Sequence, residues 1–123
     1  MKLNPESQKP LYLQIAQQIE EGIFIGNIAV ETQIPSTNEV ALRYKINPAT
    51  VLKGMNILVD DKIIYKRRGI GMFVCKGAFE KIKGKRQSQF YSEFIEGLVL
   101  EAKKLNLRKE DIMKMIDRRY QDE

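Results

Sequence analysis

No histidine occurs among the 123 residues. Its absence removes imidazole-based triads, histidine metal sites and imidazole proton shuttles. A single cysteine, Cys75, excludes an intrachain disulfide and fits a reducing cytoplasm. It ends the apolar run Met72-Phe73-Val74, where a thiol packs as a small hydrophobe and not as a nucleophile. No apolar run approaches the roughly 18 residues of a membrane span. The opening MKLNPESQKP is polar and holds two prolines, unlike a signal peptide. Internal repeats and low-complexity segments are absent as well. With no paired-carboxylate site and no phosphate loop, the expectation is a non-enzyme without catalytic residues, metal or cofactor.

What is present is charge. Charged residues make up 30% of the chain, hydrophobic residues 43%, and the formal net charge is +5. A small chain with that balance suits a polyanionic partner. The length suits one compact domain, or one with an appended helical segment.

Residues 10–25, PLYLQIAQQIEEGIFI, carry Leu11, Ile15, Ile19 and Ile23 at helical spacing with Ala16 beside them. Gln14, Gln17, Gln18, Glu20 and Glu21 fall on the other side. Pro10 suits the first turn, and Gly26-Asn27 ends the pattern. In IPSTNEVALRYK, Ser36 followed by Glu39 is a capping box, and Val40, Ala41 and Tyr44 face inward. Asn47-Pro48 then opens a third helix, with Asn47 as N-cap and Val51, Met55, Leu58 and Val59 as its inner stripe. Gly54 costs that helix about 1 kcal/mol relative to alanine, which hints at close packing or a lax sequence. Two short helices joined around Ile46 and supported by an earlier helix are the plan of a helix-turn-helix. Ile63-Ile64-Tyr65 and Met72-Phe73-Val74 read as strands, linked by Arg67-Arg68-Gly69 and Gly71 into a hairpin with two arginines at its tip.

From Lys76 the composition changes. KGAFEKIKGKRQS is basic and reads as a connector or a loosely formed helix start. Phe90, Phe94, Ile95, Leu98, Val99, Ala102 and Leu105 then form an apolar stripe on one helix. LNL breaks it, and Glu110–Tyr120 form a last helix with Ile112, Met115 and Ile116 inward. Two such helices cannot enclose a core, so their apolar faces need the first domain or a second copy of the chain. The expected fold is therefore mainly α with a small β-hairpin. A winged helix-turn-helix occupies residues 1–76, and a short two-helix dimerisation tail occupies 77–123.

Residues 10–74 resemble the DNA-binding domain of the GntR family of bacterial transcription regulators. The resemblance rests on PLYLQIAQQI, on IPS before the second helix, on INPATV at the third, and on RRGIGMFV at the hairpin. The short tail resembles the YtrA-like subfamily. That resemblance implies a cytoplasmic homodimer that acts as a repressor, of a transporter operon in many relatives, on double-stranded DNA with a palindromic operator. It implies no ligand-binding domain of the larger kind, and no group of residues points to a small-molecule effector.

The third helix should enter the major groove by its N-terminal end, where Asn47, Ala49, Thr50 and Lys53 are candidates. Thr50 can meet a phosphate or a thymine methyl, Lys53 a phosphate or a guanine edge, and Ala49 only a small apolar group; Asn47 is first of all a cap. Ser36, Thr37 and Asn38 lie at a helix N-terminus, which attracts phosphate. Arg67 and Arg68 suit a narrow minor groove, with Gly69 allowing close backbone approach. Lys81, Lys83, Lys85 and Arg86 form a second basic cluster, either a flanking phosphate contact or a solvated linker. Phe90, Phe94, Leu98, Ala102 and Leu105 are the dimerisation candidates. Family members usually carry arginine where this chain has Asn38, and often a basic or amide residue where it has Leu52. With Gly54, these departures motivate a second reading: a protein-interaction module on a winged-helix scaffold, with DNA reading weakened or lost.

Overall fold

A computed structural model of the chain describes residues 1–122. They form two compact units, Met1–Gly84 and a second that begins at Lys85.

In the first unit, α1 spans Leu11–Phe24 and buries Ile15, Ala16, Ile19 and Ile23, as the spacing predicts. Gln14 and Glu20, expected on the solvent side, are buried too. The reason for Gln14 is the turn-rich segment Asn4–Lys9 that lies beside it. Its side-chain amide donates to the carbonyls of Asn4 at 2.8 Å and Lys9 at 2.7 Å, and its oxygen accepts from the Asn4 N–H at 2.8 Å. Gln18 repeats the pattern with Lys2, accepting from its N–H at 2.7 Å and donating to its carbonyl. The N-terminal segment is thereby tied along α1 by backbone groups that glutamines satisfy.

Helix α2 spans Thr37–Tyr44 and α3 spans Pro48–Asp60. The capping box of α2 is formed: the Ser36 hydroxyl accepts from the Glu39 N–H at 3.0 Å, and the Glu39 carboxylate accepts from the Ser36 N–H at 3.3 Å. Lys45 takes a left-handed conformation (φ 55°) that stops α2, and the Ile46 N–H closes the end on the Ala41 carbonyl at 3.0 Å. Asn47 then caps α3 by accepting from the Ala49 N–H at 2.8 Å. Val51, Met55 and Leu58 are fully buried, and Val59 is half-buried. Gly54 is buried where α3 crosses α1: a Cβ there would lie 2.7 Å from the Tyr12 carbonyl oxygen and 3.4 Å from Ile15. The glycine is required by this contact and is not a lax position.

Strands β1 (Ile64–Arg67) and β2 (Gly71–Val74) pair antiparallel, from Ile64 opposite Val74 to Arg67 opposite Gly71. Arg67 is therefore the last strand residue, and only Arg68 of the two arginines occupies the turn. Residues 31–34, unassigned by periodicity, run along the other edge of β2. The Glu31 N–H donates to the Val74 carbonyl (2.8 Å), the Val74 N–H to Thr32 (3.0 Å) and the Ile34 N–H to Met72 (2.9 Å). The wing thus has a third edge, which leads directly into the cap of α2.

Helix α4 spans Ala78–Phe90, where the composition suggested a connector or a loosely formed helix start. Ala78 and Ile82 are fully buried in the first unit's core, and Phe79 stacks on Phe24 with ring centroids 5.1 Å apart. Those apolar residues, spaced within a lysine-rich run, are what make the helix. The first unit consequently extends to Gly84, past the boundary at residue 76 that composition suggests.

In the second unit a π-helical turn, Tyr91–Ile95, precedes α5 (Glu96–Lys104), so the apolar stripe is not carried by one uniform α-helix. LNL stops α5 by a specific device. Asn106 is left-handed (φ 57°), its N–H reaches the Lys103 carbonyl at 3.2 Å, and the Leu107 N–H reaches Ala102 at 2.9 Å. Helix α6 spans Lys109–Gln121, with the Asp111 carboxylate accepting from the Arg108 N–H at 2.8 Å at its start. Ala102 is the one buried hydrophobic among the described residues of this unit. Met115 and Ile116, expected inward, are exposed in the single chain, and Ile112 is half-buried.

Candidate nucleic-acid interface

The residues nominated at the cap of α2 and at the wing lie far apart in sequence. In the fold all of them but Arg68 share one cleft of about 310 Å³, lined by Ser36, Thr37 and Asn38 from one side and by Lys66, Arg67, Gly69, Ile70, Gly71 and Met72 from the other. The β-edge at residues 31–34 produces this arrangement, because it delivers the chain from the wing to the cap without slack. At the cleft, the first turn of α2 presents backbone N–H groups that have no partner within the helix. Lys66 and Arg67 of β1 line the opposite side. Such a cleft suits a phosphate-bearing chain. Ser36 already accepts the Glu39 N–H, so its hydroxyl keeps its proton to offer outward. Asn38 is exposed and Thr37 half-buried.

Within the wing, the Arg67 guanidinium lies over the Phe73 ring at 5.1 Å, and Tyr65 stacks on the same ring at 5.8 Å. Arg67 is thus held to the sheet, while Arg68 is exposed in the turn. Gly69 has φ 76° and Gly71 φ 148°, conformations that side chains rarely adopt. The first of these lets the turn reverse within three residues.

On α3, Ala49 and Lys53 are exposed one turn apart, and Thr50 is half-buried beside them. Asn47 spends its oxygen on the cap, as expected. Leu52 is also exposed, so the departure from the family pattern stands on the surface. The Lys53 ammonium sits 4.1 Å from the centre of the Tyr12 ring. This cation–π contact fixes a side chain that would otherwise sweep a wide arc. Tyr12, Gln33 and Lys66 were not singled out by the sequence. Tyr12 carried one signal, an aromatic beside an aliphatic stripe; Gln33 carried none.

The Lys81 ammonium reaches the Lys62 carbonyl at 3.4 Å, just past the C-terminus of α3. That is the end of α3 opposite to Asn47, Ala49, Thr50 and Lys53, and a cation there complements the helix dipole. Among the described residues, no cluster of Cys, Asp or Glu is placed to hold a metal ion, and no helix is long and apolar enough to cross a membrane.

The sequence model of the family described as bacterial regulatory proteins, gntR family, matches residues 11–74. This chain belongs to the GntR family. It is 32% identical over 111 residues to the Bacillus subtilis HTH-type transcriptional regulator YhcF, covering 90% of each chain. The HTH-type transcriptional repressor YtrA of the same organism is 33% identical over 78 residues, which cover 63% of this chain and 60% of YtrA. Among solved structures, a GntR-family regulator from Bacteroides thetaiotaomicron superposes with TM-score 0.75 at 34% identity, over 90% of this chain and 96% of that one. AraR(DBD) in complex with operator ORX1 superposes with TM-score 0.55 at 28% identity, over 61% of this chain and 93% of that one. The chain is therefore a helix-turn-helix transcriptional regulator of winged-helix fold, and its family consists of regulators and not enzymes.

Proposed function

We propose that this GntR-family chain is a dimeric repressor that binds a palindromic DNA operator. The observation that carries the proposal is the shared cleft. Ser36, Thr37 and Asn38 meet Arg67 and Gly69 across it, although about thirty residues separate the two groups in sequence. In this reading α3 enters the major groove with Thr50 and Lys53 toward base edges and phosphates, and Ala49 toward a thymine methyl or a close backbone. Asn47 is at the same helix end, but its cap role comes first. The cap of α2 receives a backbone phosphate. Arg68 at the wing tip enters the flanking minor groove, and Arg67, held on Phe73, supplies a fixed positive charge beside it.

The tail supports the dimer. Phe90, Phe94, Leu98 and Leu105 are all exposed in the single chain, and the first two rings pack on each other at 5.2 Å. An apolar surface of that extent calls for a partner. A second copy related by a two-fold axis would place two α3 helices on successive half-sites. Ala102, buried within its own chain, is a packing residue of the tail in this scheme and not a contact.

Selection of bound fragments from a genomic DNA pool at near-physiological salt tests the proposal. A palindromic motif is expected. Retention of DNA with no motif, and only at low salt, would leave mere phosphate attraction and remove operator reading.

A further inference from the structure

We propose that Gln33 is a positioning residue that clamps the wing to the start of α2 and so sets the cleft in which DNA is held. This deepens the operator-binding reading and rests on it. Three observations converge on Gln33. Its side-chain amide crosses to the turn of the wing and donates to the Ile70 carbonyl at 3.0 Å. Its backbone bridges to Phe73, the residue whose ring carries Arg67. Gly71 is shaped to admit it: a Cβ at Gly71 would lie 2.4 Å from the Gln33 Nε2 and 3.3 Å from its Cδ.

The consequence follows from connectivity. Gln33 stands three residues before the α2 cap, Ser36, and the intervening Ile34 is buried and bonded to the Met72 carbonyl at 2.9 Å. Gln33 therefore joins the segment that leads into the cap to the turn Arg67–Gly71, and the cap and the turn are the two sides of the cleft. The turn's own closing bond, from the Ile70 N–H to the Arg67 carbonyl at 2.9 Å, holds its shape but not its tilt. The bonds from residues 31–34 fix the base of the hairpin at Met72 and Val74, and the turn lies beyond them, where a short two-stranded ribbon is weak by itself. An amide bonded at Ile70, beyond the last paired residue, fixes the tilt. Arg68 then reaches DNA without first losing the entropy of a mobile arm. Gln33 need touch no nucleotide to do this.

The test uses the full chain as parent, Gln33→Ala, Gln33→Glu, Arg68→Ala and the double variant of Gln33→Ala with Arg68→Ala. Gln33→Glu keeps the length but offers no N–H to Ile70. NMR relaxation of the backbone amides from Lys66 to Gly71, without DNA, is the first readout. Both Gln33 variants are expected to raise fast motion there while α3 amides stay unchanged. Affinity for the selected operator is the second. A loss of about three- to tenfold is expected for either variant, the range of one net hydrogen bond. On the Arg68→Ala background that loss should vanish, which a general structural role would not produce. A wing that stays rigid in both Gln33 variants overturns the clamp. A mobile wing with parent-like affinity, or an equal loss with Arg68 already removed, overturns the positioning role. A parent that selects no operator overturns the DNA reading and the positioning role with it, while the relaxation data still decide separately whether the clamp exists.

Discussion

At Gly54 helix propensity and packing pull in opposite directions. By helix propensity it is a defect of about 1 kcal/mol. In the fold its missing Cβ is what lets α3 approach the Tyr12 carbonyl. Gly54→Ala gains the propensity but forces the helices apart, and overpacking costs about 1–3 kcal/mol. Since the obstacle is backbone, the upper part of that range applies. The expected net loss of stability is about 1–2 kcal/mol, read as a lower urea midpoint at unchanged slope. Lys53 depends on the same crossing through Tyr12. Tyr12→Leu keeps the half-buried bulk but removes the ring face. The expected result is a loss in DNA affinity of about two- to fivefold, from the cost of ordering a freed long side chain, with stability lower by the about 0.5–1 kcal/mol of an exposed cation–π contact. Equal affinity of the two proteins would show that Lys53 is positioned by something else.

At the level of elements, the capping box, the left-handed Lys45 and the Asn47 cap make the helix-turn-helix almost self-specifying. Each is a local device written in adjacent residues. Ser36 separates stability from binding. Ser36→Ala should cost about 1 kcal/mol of stability by loss of the cap. Ser36→Asp retains a cap acceptor and should keep stability within about 0.5 kcal/mol. Its charge at the proposed phosphate site should nonetheless weaken DNA binding by about tenfold or more. Parallel thermal melts and binding titrations distinguish the two effects, and unimpaired binding by Ser36→Asp would move the phosphate away from α2. For the wing, replacing Arg67 and Arg68 together should flatten the plot of log affinity against log salt by roughly two units if both meet phosphate. A slope changed by about one would mark Arg67 as a residue held on Phe73 for the sheet alone.

Over the whole molecule, the tail poses the question of association. Phe94 is 58% exposed and Leu98 40% exposed in the single chain. Leu98→Glu places an unpaired charge on that surface. If a second copy covers it, the dimer dissociation constant should rise about a hundredfold or more. Sedimentation should then show the 14.3 kDa chain mass for the variant and twice that for the parent. Operator affinity should fall with it, because two linked half-site contacts become one. A parent that sediments as a monomer on and off DNA would assign the apolar surface to another partner and bring the interaction-module reading forward.

The sequence by itself determined α1, α2 and α3, the hairpin and the family. Their signals are short-range: caps, periodic apolar residues, a glycine-marked turn. It also nominated Ser36, Thr37, Asn38, Arg67 and Gly69, which the fold gathers at one cleft. Tertiary structure decided what depends on distant neighbours. The strand-like edge at residues 31–34 has no period of its own, because it exists only as a partner to β2. Helix α4 is hidden in a lysine-rich run, because Ala78 and Ile82 are too few to show a stripe until a core receives them. Gln14 and Gln33 look like surface polar residues, yet each satisfies backbone groups brought to it from elsewhere in the chain. A polar side chain carries no mark in the sequence of the partner it will meet; only the folded backbone supplies it.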